Sequence, residues 1–220
     1  MRDPTTVASV RMDRDFEVTR FVALGVELSR RAEGFAVTGL AAQSVQGRGW
    51  QPQWRILAHV SAPSAEPAPS VSDDATVWAS SVGDALALVE RKLVPTHHVL
   101  VVRQIGTVTS TVWAERASCP RLASLVTWDA LRLAQLACPW IAEPSEAALA
   151  DALAVRLPRR EAGAAQAVLA TSQICQRAIE RGAMDGRWTT LRQVEEQAGR
   201  APRQVEEYLF RRGPEQIELF

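Results

Sequence analysis

Three histidines, three cysteines and one pair of adjacent aspartates are the obvious side chains for acid–base, nucleophilic or metal chemistry in this 220-residue sequence. Their spacing supports none of it. His97 and His98 are neighbours, and on a strand neighbours face opposite sides, so both cannot enter one site. His59 stands alone. Cys119, Cys138 and Cys175 are far apart with no C-x-x-C pair, which excludes a zinc site or a disulfide framework. They read as buried free thiols in a reducing cytoplasm. A Cys119–His98 pair has no support in spacing. Asp73 and Asp74 end a stretch rich in proline, serine and alanine and read as a solvated tip. There is no phosphate-binding loop and no glycine-rich dinucleotide fingerprint. The expectation is therefore no enzyme, no metal and no cofactor. Trp50 and Trp54, near Arg48 and Arg55, have the types needed to stack unpaired bases beside phosphates, against core packing as the simpler reading.

The remaining chemistry-bearing stretch is Trp188 to Phe210, W-T-T-L-R-Q-V-E-E-Q-A-G-R-A-P-R-Q-V-E-E-Y-L-F. Thr190 is placed to cap a helix from Leu191 by accepting an orphan backbone N–H. Leu191, Val194 and Ala198 fall on one helical face. Gly199 follows, where a helix commonly ends in a left-handed glycine. Pro202 suits the first position of a second helix, since its missing N–H would be unpaired anyway. Val205, Tyr208 and Leu209 make that helix's apolar stripe.

This stretch resembles the helix-turn-helix family of DNA-binding proteins. Val194, Ala198, Val205 and Tyr208 stand where the family has apolar or small residues around the glycine. Glu195 and Arg200 depart from its pattern, which has alanine and an apolar residue there. The tail 213–220 would supply the strand of a winged variant. The resemblance covers about a tenth of the chain. It implies that Pro202 to Phe210 is a recognition helix, with Arg203 suited to guanine and Gln204 to adenine. It implies phosphate contacts from Thr189, Thr190, Arg192, Arg200, Arg211 and Arg212. Glu206 and Glu207 oppose it, since carboxylates on a reading face repel phosphates. Two functions follow: a non-enzymatic DNA-binding protein of bacterial, phage or mobile-element type, with duplex preferred over single strands, or a non-catalytic structural or adaptor subunit of a larger protein or nucleoprotein complex. A protein partner or homo-oligomer belongs with either.

Composition bounds these readings. The chain has 47% hydrophobic and 23% charged residues, ordinary for a globular protein. Basic and acidic residues balance at 25 each, so no overall field attracts nucleic acid. The distribution is uneven: residues 156–212 hold 11 arginines against 7 acids, and residues 61–155 hold 6 basic against 10 acidic residues. The C-terminal part is the basic end. Lys92 is the single lysine, a bias expected of a GC-rich genome. The first ten residues are polar and do not form a signal peptide. No apolar run is long enough to span a membrane.

The elements that must position these residues read as α+β. Phe16 to Ala32 fits a helix, with a strand over Phe21–Leu28 as the competing reading. Phe35–Val45 and Trp50–Ala62 read as strands around a glycine turn. Residues 63–74 read as a flexible loop, followed by a helix capped by Ser80 or Ser81. His98–Gln104 and Val108–Arg116 read as a second hairpin, giving a small antiparallel sheet of about four strands. Helices are expected over Arg121–Ala137, from Pro144 to Pro158, and over Glu161–Arg181. The expected division is an α+β domain over 1–140 and a helical domain over 141–220, ending in the helix-turn-helix at 189–210.

Overall fold

The computed structural model describes residues 12–31, 34–60, 74–103, 105–158 and 163–212. The polar lead before Met12, the loop expected over 63–74 up to residue 73 and the expected wing over 213–220 lie outside the described residues.

The first described element is a short helix, α1 (Arg14–Val18), capped by Asp13. Three long strands follow as a meander: β1 (Arg20–Arg31), β2 (Gly34–Gln46) and β3 (Gln51–Val60). The apolar run F-V-A-L-G-V-E-L is thus a strand. It is buried on both faces, with Phe21 to Leu24 all 2% exposed or less, which is why its hydrophobicity is continuous rather than alternating. The glycine turn between β2 and β3 forms as expected, with Gly49 at φ 70°, a left-handed conformation that glycine adopts without steric cost.

β4 (Asp74–Ala79) runs parallel to β3, and α2 (Val82–Lys92) follows, its first turn capped by the Ser81 hydroxyl. β5 (His98–Val102) lies parallel to β1. The expected second hairpin does not form. The segment after β5 is a helix, α3 (Thr107–Ala114), in which the Ser110 and Thr111 hydroxyls return to the Thr107 carbonyl. Hydroxyls that could compete for the helix's backbone groups are thereby satisfied on the preceding turn. The helix expected over Arg121–Ala137 is three elements: α4 (Pro120–Ala123), β6 (Val126–Asp129) and α5 (Ala130–Ala137). V-T-W-D has strand propensity, and fully buried Trp128 anchors it. Asp129 ends the strand and caps α5 in the same residue. The rest is α6 (Glu146–Ala152), α7 (Ala164–Met184), α8 (Leu191–Ala198), the two-residue β7 (Gly199–Arg200) and α9 (Pro202–Arg212).

The seven strands of the described residues form one mixed sheet in the order β4-β3-β2-β1-β5-β6-β7. The fold is therefore α/β in character, and the expected small antiparallel sheet is corrected. Three of its strands, β1, β6 and β7, come from segments that read as helix or turn. One face packs Phe21, Ala23, Val99 and Trp128 against α5, α6, α7 and α8. The other packs Val22, Leu24, Leu40, Ile56 and Leu100 against α2, α3 and α4. Gly25 of β1 lets α7 approach closely, since a Cβ there would lie 3.0 Å from a Val168 methyl. No described helix is long and apolar enough to cross a membrane.

Candidate functional site, an arginine-lined cleft

The motif at the C-terminal end folds into two helices, but their junction is not the expected turn. Gly199 is extended, with φ −77° and ψ 151°. Together with Arg200 it pairs antiparallel to β6, Trp128 opposite Gly199 and Thr127 opposite Arg200. Glycine is required there for space: a Cβ would lie 2.6 Å from the Glu195 carbonyl oxygen. The two helices are thus hooked onto a sheet edge, and the left-handed turn expected of Gly199 is corrected.

α8 has the cap the sequence indicates. The Thr190 hydroxyl accepts the Gln193 N–H, and the Gln193 carboxamide returns to the Thr190 N–H, a reciprocal capping box. The same carboxamide oxygen accepts the Thr189 N–H at 2.7 Å. Asp13, far away in sequence, accepts the Leu191 N–H at 3.1 Å. α9 starts at Pro202. Its Val205 is buried, and its Tyr208 hydroxyl donates to the Ile105 carbonyl at 3.2 Å.

Between α5, α8, β7 and α9 lies an open cleft of about 570 Å³, lined by Arg132, Glu196, Gln197, Gly199, Arg200, Gln204, Glu207, Tyr208 and Arg211. That volume is in the range of small-ligand sites. Arg132 is held by its Nε, which donates to the Gln197 carbonyl at 3.0 Å. Arg200 stacks its guanidinium over the Tyr208 ring at 5.4 Å, a cation–π contact that fixes its direction. Gln204 accepts the Ala201 N–H at 2.9 Å, capping the first turn of α9. The two lining acids are engaged along their own helices. Glu196 pairs with Arg192 at 2.8 Å and Glu207 with Arg203 at 3.2 Å, each one helical turn apart. Behind the cleft, burial pushes the Asp129 carboxyl above its usual range, while the N–H groups of Arg132, Ile105 and Leu131 and the charge of Arg200 oppose that shift.

Of the residues singled out from the sequence, the structure brings Arg200, Gln204 and Arg211 together on this cleft. Arg192 and Arg203 lie outside its lining, in exposed ion pairs. Thr189 and Thr190 are engaged at the start of α8. The Arg212 side chain lies outside the described residues. Arg132 was not singled out, because it reads as one polar residue of a helix 68 positions before Arg200. Only the β6–β7 pairing brings it here.

The other candidates are dispersed. His98 is buried, its Nδ1 2.7 Å from the Thr96 carbonyl, and burial holds its pKa below the usual 6.5. His97 is exposed and lies 3.4 Å from Glu195. Cys119, Cys138 and Cys175 are free and buried, and burial pushes the Cys119 thiol up to about 11. Trp50 stacks on Phe21 at 5.0 Å and Trp54 is 5% exposed, so both serve the core. Among the described residues no group of three or more His, Cys, Asp or Glu side chains converges as a metal site would require.

No protein-family model matches the sequence, and no curated protein matches it. Solved structures do. Cell-death related nuclease 4 (CRN-4) is 11% identical, with a TM-score of 0.49 over 76% of this chain and 65% of its own. A 3'-exonuclease described by its 3'-end specific recognition of histone mRNA stem-loop is 11% identical, with a TM-score of 0.45 over 76% of this chain and 82% of its own. The nuclease domain of 3'hExo, a DEDDh family member bound to rAMP, is 10% identical, with a TM-score of 0.43 over 76% of this chain and 92% of its own. This chain spans about two thirds of the length of the first. The three structures named are described as nucleases or exonucleases, not as helix-turn-helix proteins. The expectation of a non-enzymatic helix-turn-helix DNA-binding protein, the alternative of a non-catalytic subunit and the reading of the chain as no enzyme have no counterpart among these structures and are withdrawn. At these identities the likeness is one of chain path and does not reach substrate or chemistry.

Proposed function

We propose that this protein binds nucleic acid, and that the cleft between α5, α8, β7 and α9 holds the phosphates of one strand. The observation that carries the reading is the convergence of Arg132, Arg200 and Arg211 on one open cleft. Arginine offers a planar fork of donors that matches phosphate oxygens. Two of the three are already oriented, by the Gln197 carbonyl and the Tyr208 ring, so less side-chain entropy is lost on binding. Glu196 and Glu207 are each offset by an arginine on the outer face. The amide of Gln204 adds a neutral donor. A volume of about 570 Å³ accommodates a short stretch of one strand, not the width of a duplex.

The test is fluorescence anisotropy with labelled single-stranded DNA, single-stranded RNA and duplex DNA across a salt series. Three phosphate contacts give a log–log salt slope of about −2 to −3. The combined Arg132→Ala, Arg200→Ala and Arg211→Ala variant loses most of that slope, by about one for each arginine removed. Arg177→Ala, on α7 and outside the cleft lining, changes it little. A wild type that binds none of the three probes at low salt, or a triple variant with an unchanged slope, overturns the proposal. A gel of the same mixtures with Mg²⁺ added reads whether bound strands are shortened.

A further inference from the structure

We infer, resting on the phosphate reading of the cleft, that Asp129 is its positioning residue, aiming Arg132 and Arg200 from behind through two separate hydrogen-bonded arms. Asp129 ends β6 and pairs with Val102 of β5, so the sheet fixes its backbone. Its two carboxylate oxygens are divided between two elements. Oδ1 accepts the Arg132 N–H at 3.0 Å, at the start of α5. Oδ2 accepts the Ile105 N–H at 3.4 Å, from the segment between β5 and α3.

Neither arm stops there. The first turn of α5 bears the Arg132 side chain, whose Nε donates to the Gln197 carbonyl at 3.0 Å. A first turn without its cap has unpaired N–H groups and frays, and Arg132 lies within that turn. On the other arm Ile105 is buried and uses both of its backbone groups. Its carbonyl accepts the Tyr208 hydroxyl at 3.2 Å. The Tyr208 ring in turn lies under the Arg200 guanidinium, 5.4 Å away. Arg200 is therefore aimed by three contacts in series, from Asp129 to Ile105, from Ile105 to Tyr208, and from ring to guanidinium.

A carboxylate is an expensive group to keep in this place. Burial disfavours its charge, and a negative charge behind a phosphate site opposes the ligand. What it offers is two acceptor oxygens on a short stem, one for each N–H group. Asparagine offers one acceptor, and its NH₂ would face the second N–H donor to donor. The sign of the effect is then decisive. If Asp129 acted on the cleft by charge alone, its removal would tighten phosphate binding. Acting by position, its removal weakens binding.

Two readouts test this. Fluorescence anisotropy with a labelled single-stranded oligonucleotide measures affinity. Nitrogen-15 relaxation of the arginine Nε–Hε groups in the free protein measures side-chain order. Asp129→Asn keeps one acceptor, and asparagine is a favoured helix cap. It leaves Arg132 ordered, sets Arg200 loose and weakens binding about 2- to 10-fold, the ordering cost of one long side chain. Asp129→Ala sets both arginines loose and weakens binding about 5- to 100-fold. Tyr208→Phe, which keeps the ring and loses the hydroxyl, matches Asp129→Asn, and the two combined are no worse than either alone. Asp129→Asn binding as tightly as wild type, or more tightly, overturns the inference and leaves the arginine cleft standing. So does an Arg200 side chain that stays ordered in free Asp129→Asn protein. A wild type that binds no strand at low salt removes the phosphate reading, and this inference with it.

Discussion

Gly182→Ala sets two well-known effects against each other. Gly182 lies inside α7, two residues before its last, Met184. In an exposed helix interior, alanine in place of glycine stabilises by about 1 kcal/mol. Here the added Cβ would fall inside the indole ring of Trp188, nearer to its carbons than any non-bonded pair allows. Trp188 is 1% exposed, and its Nε1 donates to the Ile179 carbonyl at 3.0 Å. The ring cannot swing away without leaving the core and losing that bond. Overpacking costs about 1–3 kcal/mol and the lost hydrogen bond about 1 kcal/mol. Packing wins, for a net loss of about 1–3 kcal/mol. For a chain of this size that is a fall in Tm of about 3–10 °C, read by differential scanning calorimetry. The decisive comparison is made in a Trp188→Ala background, itself about 3–5 kcal/mol less stable. There the collision is gone and Gly182→Ala becomes stabilising by about 1 kcal/mol. A Gly182→Ala protein that melts at or above the wild-type temperature, or a substitution with the same sign in both backgrounds, refutes the reasoning.

Stability falls as pH drops below about 6.5, and part of that fall belongs to His98. Burial, followed by the charge of Arg20, lowers its pKa in the folded chain, with only the Thr96 carbonyl opposing. The unfolded chain then binds the extra proton, so this contribution is complete above 6.5 and is lost as pH falls toward the lowered value. His98→Asn, which can still donate to Thr96, flattens the dependence of Tm on pH between about 5 and 7. Glu90→Ala costs about 2 kcal/mol in urea denaturation, because the Glu90 carboxylate accepts the Arg121 N–H at 3.1 Å and the Leu122 N–H at 2.9 Å at the start of α4. Glu90→Gln, keeping one acceptor oxygen, costs about half as much.

Much of the helical framework was legible because helix ends are signalled locally. Ser81, Ser145 and Thr190 all cap as their positions indicate. The meander was legible from two apolar runs around a glycine turn. What escaped was whatever depends on distant pairing. T-V-T-S-T-V reads as a strand by propensity, and packing of its buried Thr109 and Val112 makes it α3. V-T-W-D is four residues inside a longer helical pattern, and becomes β6 because β5 offers it a parallel edge. Propensity decides neither case, since tertiary context outweighs it over so few residues. The candidate site divides in the same way. Arg200, Gln204 and Arg211 are close in sequence and were singled out together, whereas Arg132 reaches the cleft through strand pairing alone.

The resemblance to a helix-turn-helix has a physical origin in this fold. Val194, Ala198 and Val205 are buried and Tyr208 is partly so, as the motif requires of two helices packed closely. The same spacing also serves two helices that pack on a sheet from either side of its last strand. α8 adds Val194 and Ala198 to one core, and Tyr208 of α9 packs against the other. What separates the two solutions is the pair between the helices. In a free turn Arg200 would be a break from the pattern. Here it is a strand residue opposite Thr127, and its side chain turns back over Tyr208. The departure from the family pattern at Arg200 was therefore more informative than the matches around it. It marks the place where the chain is drawn onto the sheet, and by that same pairing it sets one arginine of β7 beside Arg132 of α5 in the cleft.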